Sequence, residues 1–297
     1  MIPSTSVVSV VVVNWNAGPA LARCLASLDD EAAGGAEIIV VDNAGTDGST
    51  TAATTPRPWV RVVSNPENVG FARGANAGAA VATGDVVVFL NPDATLEPGA
   101  LGALVNALRA EPQAGIAGGG LLDDDGRSQP GAARFGVVAH LVLDTTLGRW
   151  WRRGMSRVHA VDWVYGTFVA VRRSVFEQLG GFDGSYFLYG EDLDLCHRAR
   201  SMGWRTLQVP EARARHERNL SATTRFGLAR DAAVVEGELR FYARRRGYGA
   251  AVTYRMVAGI KFAVKAVVAT LCGRLDTARR AALVVRVCLG HTARVIA

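Results

Sequence analysis

Two stretches of the chain place carboxylates where chemistry could use them. In FLYGEDLDLCHRAR (187–200), Glu191, Asp192 and Asp194 fall within four positions, behind two aromatics and a glycine. On a helix starting near Gly190, Asp192 and Asp194 lie about 200° apart and face opposite ways. Asp194 is set for an i,i+4 pair with Arg198, a structural role worth about 0.2–0.5 kcal/mol. Asp192 shares its face with Leu195 and Cys196 and is expected to point towards the body of the fold. The helix dipole at the first turn favours its ionised form, which makes it available as a base. Glu191 is left between two readings, a cap and a contact with an acceptor.

The second stretch is FLNPDATLEPGA (89–100), in which Asp93 follows an apolar run. A lone carboxylate there suits a hard divalent cation, which keeps several waters and takes its other ligands from phosphate oxygens. The competing reading is a turn in which Pro92 and Asp93 merely end a strand. His216, after the strand-like TLQVP, is the histidine best placed as a ligand. His140, His159, His197 and His291 read as surface or packing residues. Gly70, Gly74 and Gly78 recur every four residues and share one helical stripe, which reads first as a surface for close helix–sheet packing and second as a phosphate cradle. Arg73 lies in the first turn of that helix, within reach of a phosphate.

Other chemistries are excluded by what is missing. No Gly-x-x-x-x-Gly-Lys-Ser/Thr occurs, and the only two lysines, Lys261 and Lys265, lie far from the sheet-forming region, so P-loop and protein-kinase mechanisms fall. The first strand runs into NWNAGPA rather than a dinucleotide-binding glycine loop. There is no Gly-x-Ser-x-Gly elbow. Cys24, Cys196, Cys272 and Cys288 form no Cys-x-x-Cys pair, which argues against a zinc site or disulfide framework and suits a reducing compartment.

The elements that must position these residues follow from periodicity. VVSVVVVN (7–14) is a β-branched run suited to a strand buried on both faces; Asn14, Trp15 and Asn16 follow it directly, unlike a secretory signal. Residues 18–28 read as a helix, 37–43 and 60–65 as strands, and 70–82 as a helix capped by Asn68. A strand at 85–91 and a helix at 98–110 come next. This alternation predicts a doubly wound, mostly parallel sheet flanked by helices, with right-handed crossovers. Ligands bind such sheets at the carboxyl ends of the strands, where Asn14, Asn16, Asp42, Asn43, Asn65, Asn91 and Asp93 cluster. Residues 121–135 read as a loop, 147–157 as a mobile basic and aromatic stretch, and 161–183 as strand then helix.

Hydrophobic residues make up 49% of the 297 residues and charged ones 20%, so a sizeable core is available. The net charge of +6 is uneven: Arg225 to Ala297 carries fourteen basic and four acidic side chains, leaving −4 for residues 1–224. The chain therefore divides into a mildly acidic domain, 1–224, and a basic helical C-terminal extension, 225–297. Within the extension, Arg255, Lys261 and Lys265 fall in an arc of about 120° on an otherwise apolar wheel. Two readings compete: a basic amphipathic helix on an anionic membrane, and a helix packed on the domain by its apolar face.

Taken together, SVVVVNWN, IIVVDNAGTDGS, NPENVGFARGAN, FLNPDA, WVYGTFVAVRRSVFEQLGGFD and FLYGEDLDLCHRARSMGW, in this order over residues 7–217, resemble the inverting nucleotide-sugar glycosyltransferases of family 2, with the GT-A fold. NVGFARGAN with NPDA and YGEDLDL looks like the rhamnosyltransferase branch that builds bacterial surface polysaccharides. The resemblance implies that Asn14 and Asn16 line the nucleotide pocket, that Asp42 reads the pyrimidine with Asn43 beside it, and that Gly70 and Arg73 lie along the ribose–diphosphate. Asn91 would contact the ribose. Asp93 would hold Mg²⁺ or Mn²⁺ on the diphosphate, completed by His216; Asn91 replaces the first Asp of the family's Asp-x-Asp element, so the metal rests mainly on Asp93. Asp192 matches the base, and Trp163, Tyr165 and Gly166, with Glu191, would border the acceptor.

The expected activity is transfer of a sugar, L-rhamnose from dTDP-rhamnose first, to a lipid-linked or glycan acceptor on the inner face of the cell membrane. A UDP-linked donor such as UDP-galactofuranose or a UDP-hexosamine is the alternative, and a non-catalytic nucleotide-sugar binding module the remote one. Peripheral attachment to an anionic membrane surface is expected, and no nucleic-acid partner.

Overall fold

The computed structural model describes residues 7–136, 157–216 and 227–290. His140, His291 and the basic aromatic stretch up to residue 156 lie outside them.

The chain opens with β1 (Val8–Asn14), α1 (Pro19–Ala26), α2 (Asp29–Ala33), β2 (Glu37–Asp42), α3 (Ser49–Thr54), β3 (Val60–Ser64), α4 (Phe71–Val81) and β4 (Val86–Leu90). These four strands are parallel, in the order β3-β2-β1-β4. Alternate valines of β1 face the two cores: Val11 and Val13 pack under α4, and Val10 and Val12 pack against Leu21, Leu25 and Leu28 of the α1 region. The stripe on α4 is a packing surface. A Cβ on Gly74 would come within 2.9 Å of a Val13 methyl, and one on Gly78 within 2.4 Å of Val11, so the helix lies closer to the sheet than any side chain would allow. The cap of α4 is Gly70 (φ 84, ψ 174) and not Asn68, which stands two residues earlier and accepts the Gly70 N–H at 3.0 Å.

From there the sheet becomes mixed. β5 (Ala94–Leu96), α5 (Ala100–Ala110) and β6 (Ala114–Leu122) are followed by two short strands within the expected loop, β7 (Ser128–Gln129) and β8 (Ala132–Ala133). Then come β9 (His159–Val161), β10 (Trp163–Val164), β11 (Phe168–Arg172), α6 (Arg173–Gln178), α7 (Glu191–Ser201) and β12 (Arg205–His216). β11 slots between β4 and β6 antiparallel to both. The residues just before it lie at the carboxyl end of β4, so it runs back along β4 in the opposite direction. That entry point is useful: Asn91 N donates to Thr167 O at 2.9 Å, tying the residues before β11 to the end of β4. β12 pairs antiparallel with β5, setting His216 opposite Ala94. The register therefore brings His216 beside Asp93.

The C-terminal helices α8 (Arg230–Phe241), α9 (Tyr248–Leu271) and α10 (Leu275–Cys288) join the same core. Ala232, Val235, Phe241, Tyr254, Ala258 and Val284 are buried in the cluster that also holds Val11, Phe89 and Leu193. Among the described residues, no helix is long and apolar enough to cross a membrane.

Candidate active site

A cavity of about 580 Å³ opens at the carboxyl ends of β1 and β4, between them and helices α7, α8 and α9. A larger one of about 890 Å³ lies beside β6, β9 and β12. The latter is lined by arginines already paired to carboxylates, such as Arg200 to Asp162 and Arg205 to Glu111. The smaller cavity holds the chemistry.

On its floor Asp93 is 7% exposed, and His216 Nε2 lies 3.4 Å from Asp93 Oδ1. Among the described residues, no group of three His, Cys, Asp or Glu side chains could hold an ion. One carboxylate oxygen and one imidazole nitrogen fit a divalent cation that keeps water and phosphate oxygens in its other positions, and they do not fit an all-protein cage. Asn91 lies beside them on the wall.

Near the carboxyl end of β2, Asn43 anchors an amide lattice. Its Nδ2 donates to Asn68 Oδ1 at 2.9 Å and Gly70 O at 3.2 Å, and its Oδ1 accepts from Asn65 Nδ2 at 3.0 Å. Asn43, Asn68 and Gly70 line the cavity. Asn14, Asn16, Asp42 and Arg73 do not; each is turned into a loop it holds in shape. Asn14, fully buried, donates to Ser49 Oγ at 2.9 Å and Thr50 Oγ1 at 2.8 Å, since a buried amide needs partners. Asn16 Oδ1 accepts from Thr46 N at 2.7 Å, Asp42 Oδ1 from Gly45 N at 2.9 Å, and Arg73 Nε donates to Gly184 O at 2.9 Å.

The opposite wall is α7. Asp192 faces the cavity: its Oδ2 accepts from Gly166 N at 2.9 Å and its Oδ1 from Leu193 N at 2.7 Å. Trp163, Tyr165 and Gly166 line the same wall, with the Trp163 and Tyr165 rings 4.7 Å apart. Glu191 is 5% exposed, and its Oε2 has no hydrogen-bond partner among the described residues. Burial raises both acids. Glu191 is lifted further by the charge of Asp192, whereas the two backbone N–H groups pull Asp192 back. Asp194 is the deepest of the three, fully buried and bonded to Arg198 Nε at 2.6 Å and Arg245 Nε at 2.5 Å. The expected pair with Arg198 is there, joined by an arginine from the turn at Tyr242–Arg246.

The turn before α7 is held from both sides. Tyr189 (φ 68) and Gly190 (φ 93) adopt left-handed conformations, a costly one for tyrosine. Phe71 N donates to Phe187 O at 2.7 Å, and a Cβ on Gly70 would come within 2.3 Å of that oxygen. From the other side, a Cβ on Gly237 of α8 would come within 2.3 Å of Tyr189 O. Two glycines, one from each end of the chain, grip the backbone that carries Asp192.

Glu238, Tyr254, Lys261 and Lys265 complete the cavity from α8 and α9. None of them was assigned to the site from sequence. The available signal was the pair of lysines on one helical face, which periodicity could group but could not aim.

The mixed sheet flanked by helices, with a cleft at its strand ends, has the GT-A fold. The chain belongs to glycosyl transferase family 2, whose description matches residues 9–180. It is 34% identical over 236 residues to the N-acetylglucosaminyl-diphospho-decaprenol L-rhamnosyltransferase of Mycobacterium tuberculosis, covering 72% of this chain and 77% of that protein. It is 30% identical over 138 residues to rhamnosyltransferase WbbL of Escherichia coli, covering 44% of this chain and 52% of that one. Among solved structures, mannosyltransferase PcManGT from Pyrobaculum calidifontis, in complex with GDP-Man and Mn²⁺, superposes with a TM-score of 0.60 at 19% identity over 95% of this chain and 86% of that one.

Proposed function

We propose that the protein transfers L-rhamnose from a dTDP-linked donor to a lipid-linked acceptor in the assembly of a cell-surface glycan, with inversion at the anomeric carbon. The observation that carries this reading is the pairing of Asp93 and His216 across the cleft from Asp192, in a chain whose relatives include rhamnosyltransferases. The donor lies with its nucleoside towards Asn43 and Asn68 and its diphosphate towards Asp93. Asp93 and His216 would hold Mg²⁺ or Mn²⁺, which when bound neutralises charge gathering on the diphosphate. The Gly166 and Leu193 N–H groups fix the Asp192 carboxylate, and that carboxylate takes the proton from the acceptor hydroxyl. The acceptor oxygen bonds to the anomeric carbon as the bond to the diphosphate breaks on the opposite face. Trp163 and Tyr165 flank the sugar that receives it.

A panel of dTDP- and UDP-sugars with Mg²⁺ and Mn²⁺, read as release of nucleoside diphosphate, tests the donor. Turnover is expected with dTDP-rhamnose; turnover with a UDP-sugar alone sinks that choice. Asp93→Ala is expected to abolish metal-stimulated turnover and to weaken Mn²⁺ binding in the presence of dTDP. Unchanged Mn²⁺ binding would remove Asp93 from the metal site.

A further inference from the structure

We propose that Lys261 and Lys265 bind the diphosphate of a prenyl-diphosphate acceptor, so that α9 reads the acceptor's charge with one face and meets the membrane with another. This rests on the lipid-linked acceptor of the preceding reading and names the group the protein recognises on it. The first support is placement. The only two lysines among the 33 basic residues both line the cavity that contains Asp192. They come to it from α9, which packs mainly on α10 and the Tyr242–Arg246 segment, whereas Asp93 and His216 come from the ends of β4 and β12.

The second support is electrostatic. Both ammonium groups stand near the Phe262 ring, 5.9 and 5.3 Å from its centroid. Two carboxylates stand close by. Glu238 accepts the Tyr254 hydroxyl at 2.5 Å, and Asp231 is 3.9 Å from Lys265. Lys261 is partly withdrawn from water: burial lowers its basicity most, the charge of Glu238 acts against this, and the charge of Lys265 adds a smaller lowering. A diphosphate between the two would take charge-assisted hydrogen bonds from both ammonium groups.

The third support selects a lipid. Met256, Ile260, Val264, Val267, Val268 and Leu271 fall on one stripe of α9 and are 53–82% exposed. That helix is about 36 Å long, so the stripe forms a continuous apolar face beside the lysines, beyond what a surface in water usually shows. Laid on a leaflet, it brings the cavity rim to the level at which a lipid diphosphate lies, and exposed Arg274 and Arg279 stand near anionic head groups.

Farnesyl diphosphate binding to the full chain tests the assignment, with farnesol, inorganic diphosphate and dTDP as comparators and Lys261→Gln, Lys265→Gln and the double variant beside the wild type. The double variant is expected to bind farnesyl diphosphate at least about tenfold more weakly, with dTDP and farnesol unchanged. Equal affinity in wild type and variant overturns the proposal. So does a parallel loss of dTDP binding, which would give the lysines to the donor, or equal binding and loss of inorganic diphosphate, which would make the site one for free phosphate. If the double variant melts early, Lys265→Gln alone, at the more exposed position, carries the test. A wild type that transfers rhamnose but binds no farnesyl diphosphate sinks this inference alone; one that binds it but uses another donor sinks only the donor assignment.

Discussion

Asp192 and Asp194 stand two residues apart on α7 in opposite surroundings, and substitution separates them. Asp192→Asn is expected to lower transfer about 10²- to 10⁴-fold with the dTDP dissociation constant within twofold of wild type; near-normal transfer would move the base elsewhere. Because Asp192 must be ionised to act, and burial pushes it up to about 6, kcat/KM should fall as pH drops through that value and not through the ordinary 3.8. Glu191, pushed up to about 8 by burial and Asp192, is held protonated in the fold up to a pH at which the unfolded chain has long released its proton. The unfolded state therefore gains on the native one as pH rises from 4.5 to 8. Glu191→Gln should raise the melting temperature by a few degrees at pH 8 and change it little at pH 4. Asp194→Ala takes the buried carboxylate from two guanidiniums, leaving Arg198 its bonds to Leu179 O and Gly181 O and Arg245 its pair with Asp183, and should cost about 3 kcal/mol, read as a lowered denaturation midpoint. Helical geometry made legible that the two aspartates point different ways and that Asp194 pairs with Arg198. It understated Asp194, because Arg245 lies fifty-one positions away and burial is invisible to spacing.

At the level of elements, the turn from Phe187 to Gly190 depends on what α4 and α8 lack. Gly237→Ala pushes a methyl onto Tyr189 O and is expected to displace Asp192 from Gly166, lowering kcat by about tenfold or more with dTDP affinity retained; an unchanged kcat would show that the turn has slack. The alternating strands and helices of residues 7–110 were readable because each carries its own period, and the glycine stripe was readable because close packing demands it. The antiparallel entry of β11 was not, for direction within a sheet depends on where the chain comes from. Nor did sequence show that Asn14, Asn16, Asp42 and Arg73 spend their polar groups on their own loops, since strand-end polarity looks the same whether a side chain faces a ligand or a turn.

Over the whole molecule, charge is arranged differently from the amphipathic picture that the sequence supports. The arc of Arg255, Lys261 and Lys265 exists, but the two lysines turn into the cleft and the apolar stripe turns out. Periodicity says which residues share a face and leaves open which way it looks. Replacing Ile260, Val264, Val267 and Leu271 together by Gln should release the protein from phosphatidylglycerol vesicles while leaving its melting temperature within a few degrees, because these side chains bury little in the fold. Retained flotation with vesicles would assign membrane contact, if any, to another surface. The grip of Gly70 and Gly237 on one turn also has a consequence in time. During synthesis the four parallel strands and the Asn43 lattice can assemble once β4 has left the ribosome, but the backbone before Asp192 is clamped only after α8 has followed. The turn that carries Asp192 therefore takes its final shape late, after most of the chain has been made.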